Sequence, residues 1–276
     1  MVSASRTSRR PSISQMVQFY FRLQLLQLRT AVEYNTDFWI GIAGATLTQV
    51  SGLVFISALF SQIPEVEGWT VWEIALLYAL ALIPKGITEL FCDGPWALRP
   101  LVNSGEFDRL LVRPIPAALQ TATRIASIHG LGQTGLGIVV FTMASNRIDL
   151  DWSLGKALFL IMILISGTVM IGAINYLVNL VAFWEPSADS AIPTLFSVMI
   201  DFAKFPLDIY NVLIRGLITV VIPYAFITYF PALVLLDKDS SVRWLGYLTP
   251  LITAVVVAVT AAIWRLGINR YQGVGH

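Results

Sequence analysis

Three charged side chains stand inside an otherwise apolar stretch, residues 70–91. They are Glu73, Lys85 and Glu89, and the last two are four residues apart, which places them on one face of a helix. A charged side chain at the centre of a membrane helix costs about 2.5–3.5 kcal/mol, so such groups pair with one another or serve transport. The sequence leaves both interpretations open: a structural ion pair, and direct use in an ion-coupled transporter.

Three glycines, Gly130, Gly132 and Gly135, match the G-x-G-x-x-G pattern of dinucleotide sites. That chemistry needs a strand before the glycines and a helix after them, within a βαβ unit. Here the glycines lie within a predicted membrane helix. Glycines in such helices let neighbouring backbones approach closely, so the pattern predicts tight helix packing instead.

The sequence offers little else for catalysis or metal binding. It contains no G-x-x-x-x-G-K-[ST] loop for nucleotide phosphates, two histidines (His129 and His276) and one cysteine, Cys92. These are too few for a metal-ligand cluster. We therefore expect no catalytic, cofactor-binding or metal residue in this chain, and we expect His129 to pack between helices or to face a pore.

The composition indicates an all-α polytopic membrane protein. Of the 276 residues, 56% are hydrophobic and 13% are charged, and the net charge is +1. Uncharged stretches at 38–60, 158–184 and 248–263 approach or exceed the ~20 residues that cross a bilayer as a helix. Because no long polar segment remains, we expect no soluble catalytic domain.

The chain divides into a disordered N-terminus (1–11), an amphipathic interfacial helix (12–36) and a single transmembrane domain (37–276). Residues 216–236 are apolar but broken by Pro223 and Pro231, so we predict a re-entrant segment on the outer side, before the last helix. Six full crossings are predicted, at 38–60, 70–91, 117–143, 154–183, 190–205 and 247–266.

Basic residues set the orientation, because they collect in cytoplasmic flanks. Six crossings place both termini in the cytoplasm of a multi-pass protein of the plasma or inner membrane. The arginines on that side are then Arg6, Arg9, Arg10, Arg22, Arg29, Arg99, Arg109, Arg113, Arg124, Arg265 and Arg270.

A short cytoplasmic segment, residues 100–114, is bracketed by prolines and has one apolar and one charged side. Such an element is suited to transmit movement from another protein. Its candidate contact residues are Gly105, Glu106, Phe107, Asp108, Arg109 and Arg113. The alternative is a loop that lies on the membrane.

Several phrases resemble a known family. Residues 104–114 (S-G-E-F-D-R-L-L-V-R-P), then 202–210 (F-A-K-F-P-L-D-I-Y), Ile222-Pro223 and 229–232 (Y-F-P-A) resemble the membrane subunits of type-2 ABC exporters, in the same order. The resemblance covers nearly the whole chain. It implies a six-helix half-transporter in which residues 100–114 hold the coupling helix.

The resemblance also implies partners. A separate ATPase subunit would bind ATP and Mg, and a second similar permease would complete the transporter, as a heterodimer or a homodimer. Substrates of the wider class include drugs, lipids and polysaccharides. Because few of the predicted crossings carry a polar stripe, the sequence favours an amphiphilic substrate (a drug-like compound or a lipid) or a tight dimer seam. Membrane lipids are expected as contacts, and nucleic acid is not. An ion-coupled secondary transporter is one alternative, although the sequence lacks the internal hydropathy repeat typical of that class. A membrane scaffold or enzyme without transport is the other.

Few polar residues interrupt the predicted crossings. Thr48 and Gln49 lie in the first, and Asn175 and Asn179 share one face of the fourth. Polar groups exposed to lipid would lack hydrogen-bond partners. These four side chains are therefore predicted to line a substrate path or the seam with a second permease, or else to bond between helices of this chain.

Overall fold

The computed structural model describes residues 13–33, 35–63, 65–185 and 191–271. The predicted disordered segment, 1–11, lies outside the described residues. The described part is almost entirely helical, as predicted, with one short antiparallel pair of strands, β1 (Glu65–Val66) and β2 (Trp69–Thr70). Its α-helices are α1 (Ile13–Glu33), α2 (Asn35–Phe60), α3 (Val71–Cys92), α4 (Leu98–Asn103), α5 (Glu106–Leu111), α6 (Ala117–Ala122), α7 (His129–Arg147), α8 (Leu154–Asn179), α9 (Ala191–Met199), α10 (Val212–Gly216), α11 (Tyr229–Leu235) and α12 (Thr249–Arg270).

Helix α3 is the central helix of the bundle. Residues 74–84 are all buried, and α7 and α8 pack along it. Its N-terminus begins with a capping box: the Thr70 hydroxyl accepts from the Glu73 amide, and the Glu73 carboxylate accepts from the Thr70 amide. Glu73 also pairs with Lys238 at 2.9 Å. Glu73 therefore fixes the end of a helix and does not lie in the middle of the bundle.

Glycines of α7 allow this helix to approach both α3 and α2 closely. A Cβ on Gly130 would lie 2.2 Å from the Gly86 carbonyl oxygen, and one on Gly132 would lie 2.6 Å from the Thr46 hydroxyl of α2. The predicted close packing is therefore confirmed for these two glycines. Gly135 faces open space, whereas Gly137 lies against Ile83 and takes part in the contact.

The predicted helix 117–143 is interrupted in the structure. It is divided into α6 and α7 by residues 123–128, where the chain bonds to α3 instead of continuing the helix: the Ser127 amide donates to the Glu89 carbonyl at 3.0 Å. The predicted crossing 190–205 contains α9 and a 3₁₀ turn, Phe202–Lys204. Neither helix alone reaches the length that crosses a bilayer.

Four helical segments of the described chain are long and apolar enough to cross a membrane. They are Phe38–Phe60, Val71–Cys92, Leu154–Phe183 and Arg243–Arg270. A bent pair, Val212–Val221 and Tyr224–Leu235, would be a fifth if it counted as one crossing. The all-α polytopic membrane fold agrees with the prediction, but the count of six is not confirmed.

The bent pair begins and ends near the same end of α3. Just before it, Asp208 accepts a hydrogen bond from the Trp69 indole at 3.0 Å. Just after it, Lys238 reaches Glu73, as described above, and donates to the Gly68 carbonyl at 2.8 Å. The two arms are bent by 74° at Pro223 and its neighbours. The chain therefore enters and leaves this bent segment near the same end of α3, its N-terminus.

Two long helices lie at the edge of the bundle. In the apolar 18-residue stretch of the span that contains α2, 11% of the stretch is buried inside the protein, and the same share is buried in the span that contains α12. In α3 the share is 78%. The apolar side chains that these two helices expose include Trp39, Ile40, Leu47, Phe55, Leu251, Val255 and Leu266. These surfaces are available to lipid or to another membrane protein.

Candidate functional site

A polar cavity of about 450 Å³ lies among α2, α3, α7, α8 and α9. Polar side chains inside an apolar bundle are unfavourable unless they have hydrogen-bond partners, so this cavity is a candidate site for a ligand. Its lining residues are Ala45, Thr48, Gln49, Lys85, Glu89, Asp93, Trp96, Ser127, His129, Gln133, Ile171, Asn175, Ser197, Ile200 and Tyr224.

Helix α3 gives the cavity its charge. Lys85, Glu89 and Asp93 follow one another at intervals of four residues, so they form a single face. One Glu89 oxygen, Oε1, accepts from Gln133 at 3.2 Å, and the other, Oε2, is buried with no hydrogen-bond partner in the described chain. The structural ion pair considered for Lys85 and Glu89 is not present among the salt bridges of the described residues. The two charges instead face the cavity.

A polar cluster lies next to the cavity, around Gln49. The Tyr78 hydroxyl donates to Gln49 Oε1 at 2.8 Å, and the Lys204 ammonium donates to the same oxygen at 2.9 Å. Lys204 also pairs with Asp201 at 2.8 Å and lies 4.6 Å from the centre of the Tyr78 ring. Three elements, α2, α3 and the turn Phe202–Lys204, are joined at this point.

Three of the four predicted path residues meet at the cavity. Thr48, Gln49 and Asn175 line it, although they come from α2 and α8. Asn179 does not line it; it borders a neighbouring pocket with Trp96. Some of these groups are also satisfied within the chain, since Thr48 donates to the Gly44 carbonyl at 2.9 Å and Asn179 donates to the Asn175 carbonyl at 2.8 Å.

The sequence reasoning missed Gln133, which donates to Glu89 from α7. His129, expected to pack between helices or to face a pore, lies four residues before it on α7, and both side chains line the cavity. Their spacing was a usable signal, because two polar side chains at that interval lie on one helical face. The pairing of that face with α3 depends on the glycine contacts, which cannot be read from spacing alone.

The predicted coupling segment forms α4 and α5, with Gly105 at φ +73° in the turn between them. A side chain would be strained in that conformation, so glycine suits the turn. Phe107 is fully buried and packs on Phe183, Trp264 and Tyr271, with ring centroids 5.1–6.2 Å away. Phe107 was predicted to contact a partner; within the described chain its ring is buried and anchors α5 to the bundle.

The outer surface of α5 and of the two residues that follow it carries three more of the predicted residues. Glu106 pairs with Arg124 at 2.7 Å, with both side chains about half exposed. Arg109 and Arg113 are exposed, and so is Val112, which has 84% of its surface accessible. An apolar side chain that is this exposed and lies among arginines is a candidate contact point for another protein.

Asp108 faces inward from α5, towards the end of α12. Burial, and after it the nearby Asp108 carboxylate, raise the pKa of Tyr271 to about 12. The Tyr271 hydroxyl therefore remains neutral at physiological pH. Asp108 thus belongs to the anchoring side of α5 and not to its exposed surface.

Comparison with known proteins identifies one family. A family model described as ABC-2 family transporter protein matches residues 46–275. This range includes every cavity-lining residue except Ala45, and it also includes α5 and the aromatic cluster around Phe107. No curated protein and no solved structure gives a match.

Proposed function

Because this chain belongs to the ABC-2 transporter family, we propose that it is the permease subunit of an ATP-driven exporter and that its polar cavity receives the polar part of an amphiphilic substrate. The observation that carries the proposal is the convergence of Thr48, Gln49 and Asn175 on a charged cavity inside an apolar bundle. A pocket that combines charge with apolar walls suits a molecule that has both a polar group and a tail.

We propose the six-crossing topology, with both termini in the cytoplasm. The fifth crossing would be the broken segment 191–205, and residues 212–235 would be re-entrant. The anchoring of Asp208 and Lys238 near the same end of α3 supports this arrangement. The cavity would then extend from mid-membrane, at Gln49, towards the cytoplasmic end of α3, and loading would occur from inside the cell.

The partners follow from the exposed surfaces. A separate ATPase, which would supply ATP and Mg, would bind the face of α5 that carries Arg109, Val112 and Arg113. A second permease, similar or identical, would cover part of the exposed apolar surface of α2 or α12. The remaining surface would contact membrane lipids.

The test is transport by the assembled complex in proteoliposomes, with a fluorescent amphiphile as substrate. Asn175→Trp should fill the cavity and reduce ATP-dependent transport at least tenfold. Ile165→Trp is the matched control, since Ile165 lies on the same helix and is 60% exposed. Equal activity of both variants would contradict the cavity as the path. Transport that needs an ion gradient and no ATPase would favour the secondary transporter instead.

A further inference from the structure

A second pocket adjoins the cavity, and one side chain lines both. This second pocket, which we call the vestibule, has a volume of about 350 Å³. Its walls come from α4 (Arg99 and Asn103), from the end of α8 (Asn179) and from α9 (Pro193). Among the described residues, Trp96 is the one that lines the vestibule and the cavity.

The two spaces follow one another along the bundle. On α8, Asn175 lines the cavity and Asn179 lines the vestibule, and four residues of helix span about 6 Å. On the facing wall, Asp93 lines the cavity and Arg99 lines the vestibule, with Trp96 midway between them in sequence. Two separate parts of the chain thus run from cavity to vestibule in the same order, which places Trp96 at the junction.

The vestibule reaches the surface beside the predicted coupling segment. Asn103 and Pro100, which line it, are exposed. Both belong to α4, and α5, the helix proposed to bind the ATPase, follows after a short turn. In the proposed topology the vestibule therefore opens to the cytoplasm.

The main chain that carries Trp96 is held in place. Ala97 is buried in the apolar cluster around Phe107. A Cβ on Gly94 would lie 1.8 Å from the Thr121 carbonyl oxygen, so the chain is also pressed against α6. Residues 94–97 can therefore move only together with α4 and α6.

The side chain of Trp96 is less constrained. The indoles of Trp69 and Trp152 donate to Asp208 at 3.0 Å and to Ser145 at 3.1 Å. In the described part of the chain, no residue accepts from the Trp96 indole and no aromatic ring packs with it. Its ring can therefore change rotamer without breaking a hydrogen bond.

We infer that the vestibule is the cytoplasmic entrance of the substrate path and that the Trp96 ring is the gate between vestibule and cavity. This inference rests on the proposed function, since it adds an entrance and a positioning residue to the same path. Rotation of the ring would join the two spaces. Because Ala97 shares a cluster with Phe107, a displacement of α5 would also reach the gate.

The experiment measures how fast a water-soluble reagent reaches the cavity from the cytoplasmic side. Asn175→Cys is made in a Cys92→Ala background, and inside-out vesicles with the complete complex are treated with sulfonatoethyl methanethiosulfonate, which does not cross membranes. We expect Trp96→Ala to raise the reaction rate about tenfold, since a closed gate admits the reagent only from a minor open state. Trp96→Phe keeps a ring and should react nearly as slowly as the parent.

Three controls isolate the gate. Asn103→Cys, in the exposed part of the vestibule, should react equally fast with and without Trp96→Ala. Trp244→Ala, which is 59% exposed and lines neither space, should leave the rate at Asn175→Cys unchanged. Met170→Cys, fully buried on α8, should remain unreactive in folded Trp96→Ala.

A milder variant keeps the test decisive. If Met170→Cys becomes reactive in Trp96→Ala, that variant has lost its fold, and Trp96→Leu, which keeps apolar contacts but has no ring, replaces it. A rate at Asn175→Cys that is the same in the parent and in the folded variant would overturn the gate.

The two proposals fail in different ways. If the Trp96 variants leave the rate unchanged while Asn175→Trp still blocks transport, the gate is wrong and the proposed function stands. If Trp96→Ala opens the cavity to the reagent but Asn175→Trp transports normally, the gate stands and the proposed function of the cavity is wrong.

Discussion

The Phe107 ring packs against the Phe183 ring with centroids 5.2 Å apart and planes at 65°. Phe107 belongs to α5, and Phe183 follows α8, the helix that carries Asn175 at the cavity. Gly267 of α12 makes room for this contact, because a Cβ there would lie 2.5 Å from the Phe183 ring. A displacement of α5 would therefore be transmitted directly to α8 and α12.

The first prediction tests this connection. Phe107→Ala removes a fully buried ring, at a cost of about 3–5 kcal/mol when a core aromatic is truncated. We expect α5 to loosen, so that substrate no longer stimulates ATP hydrolysis while the complex still assembles. Substrate-stimulated ATPase activity and co-purification of the ATPase measure the two effects.

Two controls separate anchoring from surface contact. Phe107→Leu keeps most of the apolar volume and should retain most of the stimulation. Val112→Asp, at an exposed position of the same segment, should weaken co-purification of the ATPase without lowering the melting temperature of the permease. If substrate stimulates ATP hydrolysis by the Phe107→Ala complex as strongly as it does with the wild type, the aromatic cluster does not transmit movement between α5 and the bundle.

The second prediction concerns the α3–α7 contact. Gly130→Ala would place a Cβ 2.2 Å from the Gly86 carbonyl oxygen, which cannot move without shifting a helix. We expect a large loss of folded protein, measured as monodisperse yield and melting temperature in detergent. Gly135→Ala is the matched control: it lies on the same helix in open space and should be neutral or stabilising by up to about 1 kcal/mol, from helix propensity. Similar behaviour of the two variants would contradict the packing.

These glycines show how far the sequence could lead. Their occurrence in a membrane helix predicted close packing, and this is correct for Gly130 and Gly132. It did not predict that Gly135 would face away, since the direction depends on which helix is the neighbour. In the same way, Thr48, Gln49 and Asn175 were recognised as polar residues within apolar helices. The sequence did not show that they line one cavity, because that depends on how α2 and α8 pack against α3.

Phe107 shows a different limit. Its segment was recognised from its prolines and from its apolar and charged sides, and Phe107 was predicted to contact the ATPase subunit. The structure buries the ring, since the ends of α8 and α12 supply Phe183 and Trp264 at that point. Such a partnership between residues far apart in sequence has no local signal. The break of the predicted helix at 123–128 likewise depends on a bond to α3, far away in sequence.

The third prediction uses an exposed charge cluster. The hydrogen bond from Lys156, with help from Arg243, lowers the pKa of Asp237 below its usual value. The folded state therefore gains stability above the unfolded pKa of about 3.9, and the gain disappears as the pH falls through the lower, folded pKa. We expect a small difference in melting temperature between the wild type and Asp237→Asn at pH 6, since exposed pairs are screened.

That difference should shrink as the pH is lowered below about 4. Thermal unfolding of both proteins in the same detergent, at steps between pH 6 and pH 3, measures it. If the difference in melting temperature stays constant or increases as the pH is lowered, Asp237 does not stabilise the fold through its ionised carboxylate.

The last prediction concerns the polar cluster around Gln49, next to the cavity. Lys204 is 6% exposed and donates to Gln49 at 2.9 Å, while Tyr78 donates to the same oxygen from α3. Lys204→Met removes the donor that ties the turn Phe202–Lys204 to α2, so we expect the cavity to widen beside Gln49. We expect proteoliposomes containing the variant to leak a small polar dye without ATP, whereas those containing the wild type retain it.

Lys156→Met is the control, since it breaks only the exposed pair with Asp237, and vesicles containing it should not leak. Vesicles that remain tight with folded Lys204→Met would show that the bond from Lys204 to Gln49 does not control passage through the cavity.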